Sequence, residues 1–540
     1  MIFSKAFNRK PLTELLIYVF GLSLSFFVVL PWFIRPFIPL MLFAYLVIAS
    51  SSVLLAINYK RIDLKHLNLD RQEIILLGIF LLVLFLRCLP FVFQIAPAGA
   101  DMSMHSYIAR LIYENDGIPR SYEPLLPISD FGASPAGFPT LSAIISLLCG
   151  CPVYRSSLLM SCLTYAFVCF GLYVFLLRFF DRNTAAAAST AATFLTRSPQ
   201  WVIRWGGNPA VLALFFFIIA FSLIIELKEK PSWLKIVFAS LSLAAVLITH
   251  PIIFYVGCII LALYFLMSFR DYKNIYAIAA CLLIFMLIFL LPYLVNLNFT
   301  LTSSVIESIK AWQIIDARSV IYDLAAGIPF LILSAFGLPV LFKKRRQLAV
   351  VFLVITAVLL LLVLNCRFWI MPFSYLLYPG LVALALIIPL SVFASPAISK
   401  ILAVQKKHLL IAFTIIGFLF YGIFYMYNSI SMCSVTQADI EAFKWMDSVI
   451  NKRAVIVNNY GDAGLWIPAI IGRTITDPHS DAIHFKELKA RLGKLRANYI
   501  YIGSKVVYED IAFKKEALEK KPWRYRIVYF KDGAQVWKIL

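Results

Sequence analysis

The amino-acid sequence predicts a polytopic all-α membrane domain of about 13 transmembrane helices, followed by a small C-terminal extracytoplasmic α/β domain. Three observations predict it. The 540-residue chain is 62% hydrophobic and only 14% charged, where a soluble domain carries about 25% charged residues. Its polar loops alternate between basic-rich and basic-poor along the chain. Its hydrophobicity collapses after Ser431, where strand and amphipathic-helix patterns take over.

Apolar runs of about 17–25 residues are long enough to cross a bilayer as helices. They lie at 12–33, 36–58, 74–96, 156–180, 184–200, 207–226, 234–250, 251–269, 274–297, 323–342, 347–365, 369–393 and 408–430. The first run is too long for a signal-peptide core and lacks a small-residue cleavage site, so it is expected to remain as a spanning anchor. The stretch 138–153 is apolar but short and flanked by glycine. It is expected to be a juxtamembrane or re-entrant helix that does not cross.

The charges agree with that threading. Alternate loops carry Lys5, Arg9 and Lys10; Lys60, Arg61, Lys65 and Arg71; Arg178 and Arg182; Lys228, Lys230 and Lys235; Arg270 and Lys273; Lys343, Lys344, Arg345 and Arg346; and Lys400, Lys406 and Lys407. The opposite loops before residue 431 carry far fewer: Arg35, Arg110, Arg120, Arg155, Arg197, Arg204, Lys310, Arg318 and Arg367. The positive-inside rule then places the N-terminus in the cytoplasm and residues 431–540 outside, in a multi-pass plasma-membrane protein. The net charge of +21 reads as topology signal and contact with anionic headgroups, not nucleic-acid binding. The cysteines lie mostly inside apolar runs and form neither a disulfide framework nor a metal spacing.

Two domains follow, 1–430 in the membrane and 431–540 beyond it. The first contains an outer loop at 98–137 and the juxtamembrane helix at 138–153. In the second, Gln437 to Lys452 has an amphipathic helix pattern (Ile440, Phe443, Trp445, Val449, Ile450). Ala454–Val457 and Tyr499–Ile502 read as strands, Gly461–Ile471 and Phe485–Leu495 as helices or loop–helix. Arg526–Phe530 and Ala534–Trp537 read as a hairpin on an Asp532-Gly533 turn. About 110 residues of alternating strands and helices bury a small core of their own.

Polar groups of chemical interest gather in the outer loops. The loop at 98–137 opens with Gly99-Ala100-Asp101-Met102-Ser103-Met104-His105 and continues through Arg110. An acid held just beyond a membrane helix is costly to keep there without a use. Asp101 also precedes a helical run, so an N-cap role stands beside a chemical one. His105 lies four residues on, hence on the same face of a helix; it reads as polar packing or as a substrate contact, and two ligands are too few for a metal site. Between later spans come Trp201-Val202-Ile203-Arg204-Trp205-Gly206-Gly207-Asn208-Pro209, His250-Pro251, Arg318 and Arg367. Arg204, Arg318 and Arg367 read equally as phosphate grips or interface anchors. His250 reads as a helix-end residue or a contact. Tyr460, Asp462, Trp466 and His479 are candidate acceptor contacts, with core packing or surface display as the alternative.

An Asp at the start of the first large outer loop, followed by Gly117-Ile118-Pro119 and Pro135-Ala136-Gly137-Phe138-Pro139 leading into a juxtamembrane helix, resembles the GT-C superfamily of membrane glycosyltransferases. Asp439 to Met446, Gly464-Leu465-Trp466 and Gly472-Arg473 are similar to the outer domains that follow its membrane region. The resemblance implies sugar transfer from a polyprenyl phosphate or pyrophosphate carrier to a glycan, lipid or protein acceptor at the outer leaflet, usually with inversion. It implies that Asp101 is the general base, or holds the acceptor or a metal. No second acid lies within two residues of Asp101 and no Trp-Trp-Asp motif is present, which leaves a divalent metal open and favours a monosaccharide carrier. Arg204, Arg318 or Arg367 would clamp the leaving phosphate, with His105, Arg110, Trp205 and His250 as further substrate contacts. Two rival classes remain: a transporter or flippase of lipid-linked glycans, and a scaffold whose outer domain binds a partner. The first expects charges near the midplane on broken, repeated helices, the second a silent Asp101→Ala.

Overall fold

The computed structural model describes residues 10–35, 37–58, 70–122, 135–196, 202, 205–229, 231–268, 275–296, 320, 327–364, 377–403, 432–476, 497–508 and 513–540. Among the described residues before 432, the regular elements are all helices: α1 (Leu12–Ile34), α2 (Leu40–Asn58), α3 (Arg71–Phe93), α4 (Asp101–Glu114), α5 (Gly137–Cys149), α6 (Val153–Leu176), α7 (Arg182–Leu195), α8 (Asn208–Glu229), α9 (Trp233–Thr249), α10 (Pro251–Ser268), α11 (Ile275–Val295), α12 (Ile328–Lys344), α13 (Arg346–Leu364), α14 (Pro379–Ala385) and α15 (Ile387–Leu402).

The helix α8 is the hub. It is apolar on every face, so it can be stable only where all faces are covered, and every residue from Asn208 to Leu227 is buried. It packs against α9, α6, α10 and α1. Its phenylalanines interlock with neighbours at Phe167–Phe215 (5.4 Å), Phe175–Phe221 (5.4 Å) and Phe221–Tyr264 (5.1 Å). At the periphery, α3 and α11 are equally apolar yet expose Ile74, Leu81 and Phe85, and Leu283, Leu287 and Leu291. Such surfaces are tolerable where lipid tails replace water.

Among the described residues, eight helices are long and apolar enough to cross a bilayer. That falls short of the expected number, about 13. The run at 323–342 gives α12, 17 residues ending on Lys343 and Lys344, which is not among the eight. The run read at 184–200 forms α7, 14 residues rich in Ala, Ser and Thr, which rises about 21 Å. The run at 369–393 is broken at Leu386 into α14 and α15, which count together as one candidate span. In α2 only Leu40–Leu54 counts as a continuous apolar stretch, and α9 (Trp233–Thr249) is apolar but short. The run at 408–430 lies outside the described residues. The stretch at 138–153 forms α5, 13 residues long, about 20 Å and too short to span.

One pole of the bundle is closed by buried ion pairs. Glu226, at the end of α8, accepts from Lys10 (2.7 Å), Arg178 (2.6 Å) and Lys235 (2.8 Å), and from the Tyr18 hydroxyl (2.9 Å). Glu14 pairs with Lys10 and Arg178. Glu73 pairs with Arg182 at 3.2 Å and accepts from the Thr13 N–H at 3.0 Å. These groups sit where α1, α3 and α9 start and α6 and α8 end, so they tie the first helix to the hub. Asp70 and Asp181 cap α3 and α7 at the same pole by accepting from Glu73 and Thr184 N–H groups.

Residues 432–540 form a small α/β unit. The helix α16 (Gln437–Val449) opens on a capping box between Thr436 and Asp439. The strands β1 (Val455–Val457), β2 (Ala497–Ile502), β3 (Tyr525–Lys531) and β4 (Ala534–Ile539) lie in the order β1-β2-β4-β3, with β1 and β2 parallel and the other pairs antiparallel. The β3–β4 hairpin turns on Asp532-Gly533, both at positive φ (44° and 92°), as a two-residue turn requires. A one-turn helix α17 (Ile467–Ile471) follows a 3₁₀ turn, and α18 (Lys515–Glu519) precedes β3. The helix read at 485–495 lies outside the described residues. Rings at Phe443–Tyr501 (5.1 Å) and Trp445–Tyr529 (5.2 Å) seat α16 on the sheet. The unit docks on the bundle through α17, which packs on α4 and α6. Lys505 donates to the Cys433 carbonyl at 2.8 Å, and Cys433 reaches the Ala96 carbonyl at 3.3 Å.

Candidate functional site

The pole opposite the ion network is where α4, α5, α8 and α10 begin and α9 ends. The segment Gln94–Ala100 that leads into α4 is held by Arg155, which donates to the carbonyls of Gln94 (2.5 Å) and Phe91 (3.1 Å). These are the orphan carbonyls at the end of α3. The residue before the helix is Ala100, with no side-chain cap. Asp101 is therefore not the N-cap that its sequence position allows; it is the first helical residue. A carboxylate there faces the positive end of the helix dipole.

Two glycines set the position of Asp101. Gly99 (φ 98°) and Gly206 (φ 104°) meet backbone to backbone. A Cβ on Gly99 would lie 2.2 Å from the Gly206 nitrogen. A Cβ on Gly206 would lie 2.7 Å from the Met102 nitrogen and 2.9 Å from the Asp101 Cβ. Both the torsions and the spacing exclude other residues. The run Trp205-Gly206 is thereby pressed onto the first turn of α4.

The start of α5 meets the end of α9 in the same way. A Cβ on Gly137 would lie 2.1 Å from the Thr249 Oγ1, and the Ala136 N–H donates to the Ile248 carbonyl at 3.1 Å. The His105 ring lies 6.3 Å from that of Phe138, bringing α4 over α5. His250, in the turn between α9 and α10, donates its N–H to the Val246 carbonyl at 2.8 Å and accepts from Phe254 at 3.1 Å. Burial, and then the neighbouring His105, push the His250 imidazole down to about 3, against a weaker upward pull from Asp101. It is neutral at pH 7, and the three side chains share one electrostatic neighbourhood.

Further buried polar groups lie at the same helix ends. Asn208, the first residue of α8, is fully buried, and neither atom of its amide has a hydrogen-bond partner among the described residues. It does not cap its helix, since the N–H groups of Ala210 and Val211 go to the Gly207 carbonyl (3.0 and 3.4 Å). Thr249 Oγ1 and His250 Nδ1 are also buried without a partner, as are Ser106 Oγ and Ser142 Oγ. A buried unpaired polar group costs about 1–3 kcal/mol, so each of these calls for an explanation.

Of the sequence-derived candidates, the structure brings Asp101, His105 and His250 together, with Trp205 beside them. Arg110 points elsewhere. Nine residues along a helix of 3.6 per turn set it about half a turn from Asp101. It pairs with Glu114 at 2.7 Å and lies against Gly472 of the C-terminal unit, where a Cβ would come within 2.8 Å of its guanidinium. Arg204, Arg318, Arg367, Trp201 and His479 lie outside the described residues. Asp462 and Trp466 are buried inside the C-terminal unit. Asp462 accepts from Gly464 (2.7 Å), Gly503 (2.8 Å) and Asn459 (3.1 Å), and burial nevertheless pushes its carboxyl up to about 6. Tyr460 stands next to Tyr508, ring centroids 6.2 Å apart. No group of three or more His, Cys, Asp or Glu side chains among the described residues is spaced to hold a metal ion.

No protein-family model and no curated protein sequence matches the chain. Solved structures do. ArnT from Cupriavidus metallidurans, bound to undecaprenyl phosphate, is similar with a TM-score of 0.56 at 10% identity, over 86% of this chain and 97% of ArnT. The Archaeoglobus fulgidus oligosaccharyltransferase, in complex with zinc and sulfate, is similar with a TM-score of 0.52 at 13% identity, over 78% of this chain and 67% of that one. The arabinofuranosyltransferase AftD from Mycobacteria gives 0.50 at 12%, over 86% of this chain and 40% of AftD. The chain shares its fold with these three proteins.

Proposed function

We propose that this protein is an inverting glycosyltransferase of the cell envelope, with Asp101 as its general base. It moves a hexose or pentose from a polyprenyl-phosphate carrier to a glycan, lipid or protein acceptor on the outer face of the membrane. The observation that carries the reading is the carboxylate of Asp101 at an uncapped helix start, fixed by the Gly99–Gly206 contact beside His105 and His250. The reading is also supported by the fold it shares with enzymes described as oligosaccharyl- and arabinofuranosyltransferases and with a protein bound to undecaprenyl phosphate.

In the step itself, Asp101 takes the proton of the acceptor hydroxyl as its oxygen bonds to the anomeric carbon. The bond from that carbon to the carrier phosphate breaks on the opposite face. Its electron pair leaves with the phosphate, and the configuration inverts. His250, neutral at pH 7, adds no cation that would compete for the carboxylate. Helix starts at α4, α5, α8 and α10 supply a positive potential towards the departing phosphate. Arg204, Arg318 and Arg367 are the candidate cations for its clamp, and Arg110 belongs to the contact with the C-terminal unit.

The test is Asp101→Asn in membrane vesicles carrying the full-length protein, with undecaprenyl-phosphate-linked labelled sugars as donors. Loss of transfer of about 10²–10⁴-fold, the usual worth of a general base, is expected. Undiminished transfer by a variant that inserts normally refutes the assignment.

A further inference from the structure

Asn208, Thr249 and His250 are uncharged groups at the same end of the antiparallel pair α8 and α9, whose helices pack along their lengths. Two residues before Asn208, Gly206 presses on Asp101. The Thr249 Oγ1 points at Gly137, the first residue of α5. Each of these groups is buried and each lacks a partner among the described residues at the amide, the hydroxyl or Nδ1 respectively. Three unpaired polar groups at one end of this helix pair, two residues from the glycine that presses on Asp101, are a standing cost, relieved by a ligand that brings donors and acceptors with it.

The chemistry of the set selects that ligand. An amide presents one acceptor and one donor group, a hydroxyl does both, and a neutral imidazole adds a further position. An alcohol, which gives one proton and accepts at its oxygen, satisfies such groups in pairs. A phosphate is better served by cations. We infer that Asn208 and Thr249 form an uncharged pocket behind Asp101 that receives one hydroxyl of the transferred sugar, and that Asn208 selects among sugars by that hydroxyl. This rests on the glycosyl-transfer reading and deepens it, because it assigns the recognition of the sugar to the start of α8. A site built to bond a substrate hydroxyl discriminates strongly against an analogue lacking it, since its own groups are then left unpaired.

The experiment uses full-length protein in lipid nanodiscs, with undecaprenyl-phosphate-linked mannose, galactose and arabinose and their single-deoxy analogues as probes. Without any probe, Asn208→Leu is expected to leave Tm unchanged or raise it, because no hydrogen bond is lost. With the probes, it is expected to slow transfer of the preferred sugar about 10–100-fold, while one single-deoxy analogue of that sugar is handled alike by wild type and variant. A lower Tm without probe, or an equal loss on every sugar and analogue, overturns the proposal and gives Asn208 a packing role. Neither result bears on Asp101, whose assignment fails separately if Asp101→Asn transfers these sugars at the wild-type rate.

Discussion

Gly206→Ala probes how tightly the first turn of α4 is held. The glycine sits at φ 104°, and a Cβ there would lie 2.7 Å from the Met102 nitrogen and 2.9 Å from the Asp101 Cβ. The torsion alone costs an alanine about 1–2 kcal/mol. Relieving the clash costs about 1–3 kcal/mol more, as for other overpacked sites, so the sum is about 2–5 kcal/mol. Carbon atoms rest at about 3.5–4.0 Å, so Asp101 has to retreat by roughly 0.6–1 Å. A misplacement of that size at a reacting group lowers a rate by about 10²-fold. The assay pairs initial rates of sugar transfer with Tm, and uses Gly78→Ala as its control. Nothing lies within 4 Å of a Cβ on Gly78, in the exposed middle of α3, so that change is neutral or stabilises by up to about 1 kcal/mol. A Gly206→Ala protein with wild-type Tm and rate would show that this contact does not set the position of Asp101.

Two further substitutions test other parts of the structure. Glu226→Gln leaves Lys10, Arg178 and Lys235 facing a neutral amide; breaking a buried network of this kind costs about 3–5 kcal/mol. A fall in Tm with an unchanged rate per folded molecule is expected, and an unchanged Tm contradicts it. His250, depressed to about 3 from an ordinary 6.5, stays neutral in the folded chain while the unfolded chain takes a proton. Its contribution is therefore lost as pH falls below 6.5, by up to about 1.4 kcal/mol per pH unit until pH 3. His250→Gln should flatten that slope in a Tm–pH series. Asp462, raised to about 6, acts with the opposite sign between pH 6 and 4 and remains in both proteins, so the difference curve isolates the histidine.

Much of this was legible in the sequence. Hydropathy located the long helices because a span must be apolar over its whole length, and β-branched runs with Asp532-Gly533 located the strands and their hairpin. The four-residue spacing of Asp101 and His105 put them on one face of α4. The same helical arithmetic, applied nine residues on, sets Arg110 on the opposite side of α4, where it meets Glu114 and Gly472. Hydropathy also read a full span at 184–200, where the described helix α7 is 14 residues rich in Ala, Ser and Thr. Asn208 and Thr249 were not legible. Their interest lies in having no partner, and that depends on which helix ends meet across the fold. Gly206-Gly207 before Asn208 hinted at close backbone approach, but nothing local said that the neighbour was Asp101.

The most direct test of the account separates chemistry from binding at residue 101. Single-turnover transfer from an undecaprenyl-phosphate-linked sugar, measured with wild type and Asp101→Asn at saturating donor, isolates the step in which the acceptor loses its proton. For Asp101→Asn, a donor affinity within about twofold of wild type and a rate constant lower by about 10²–10⁴-fold are expected. Equal rate constants in the two proteins would contradict the assignment of Asp101 as the base.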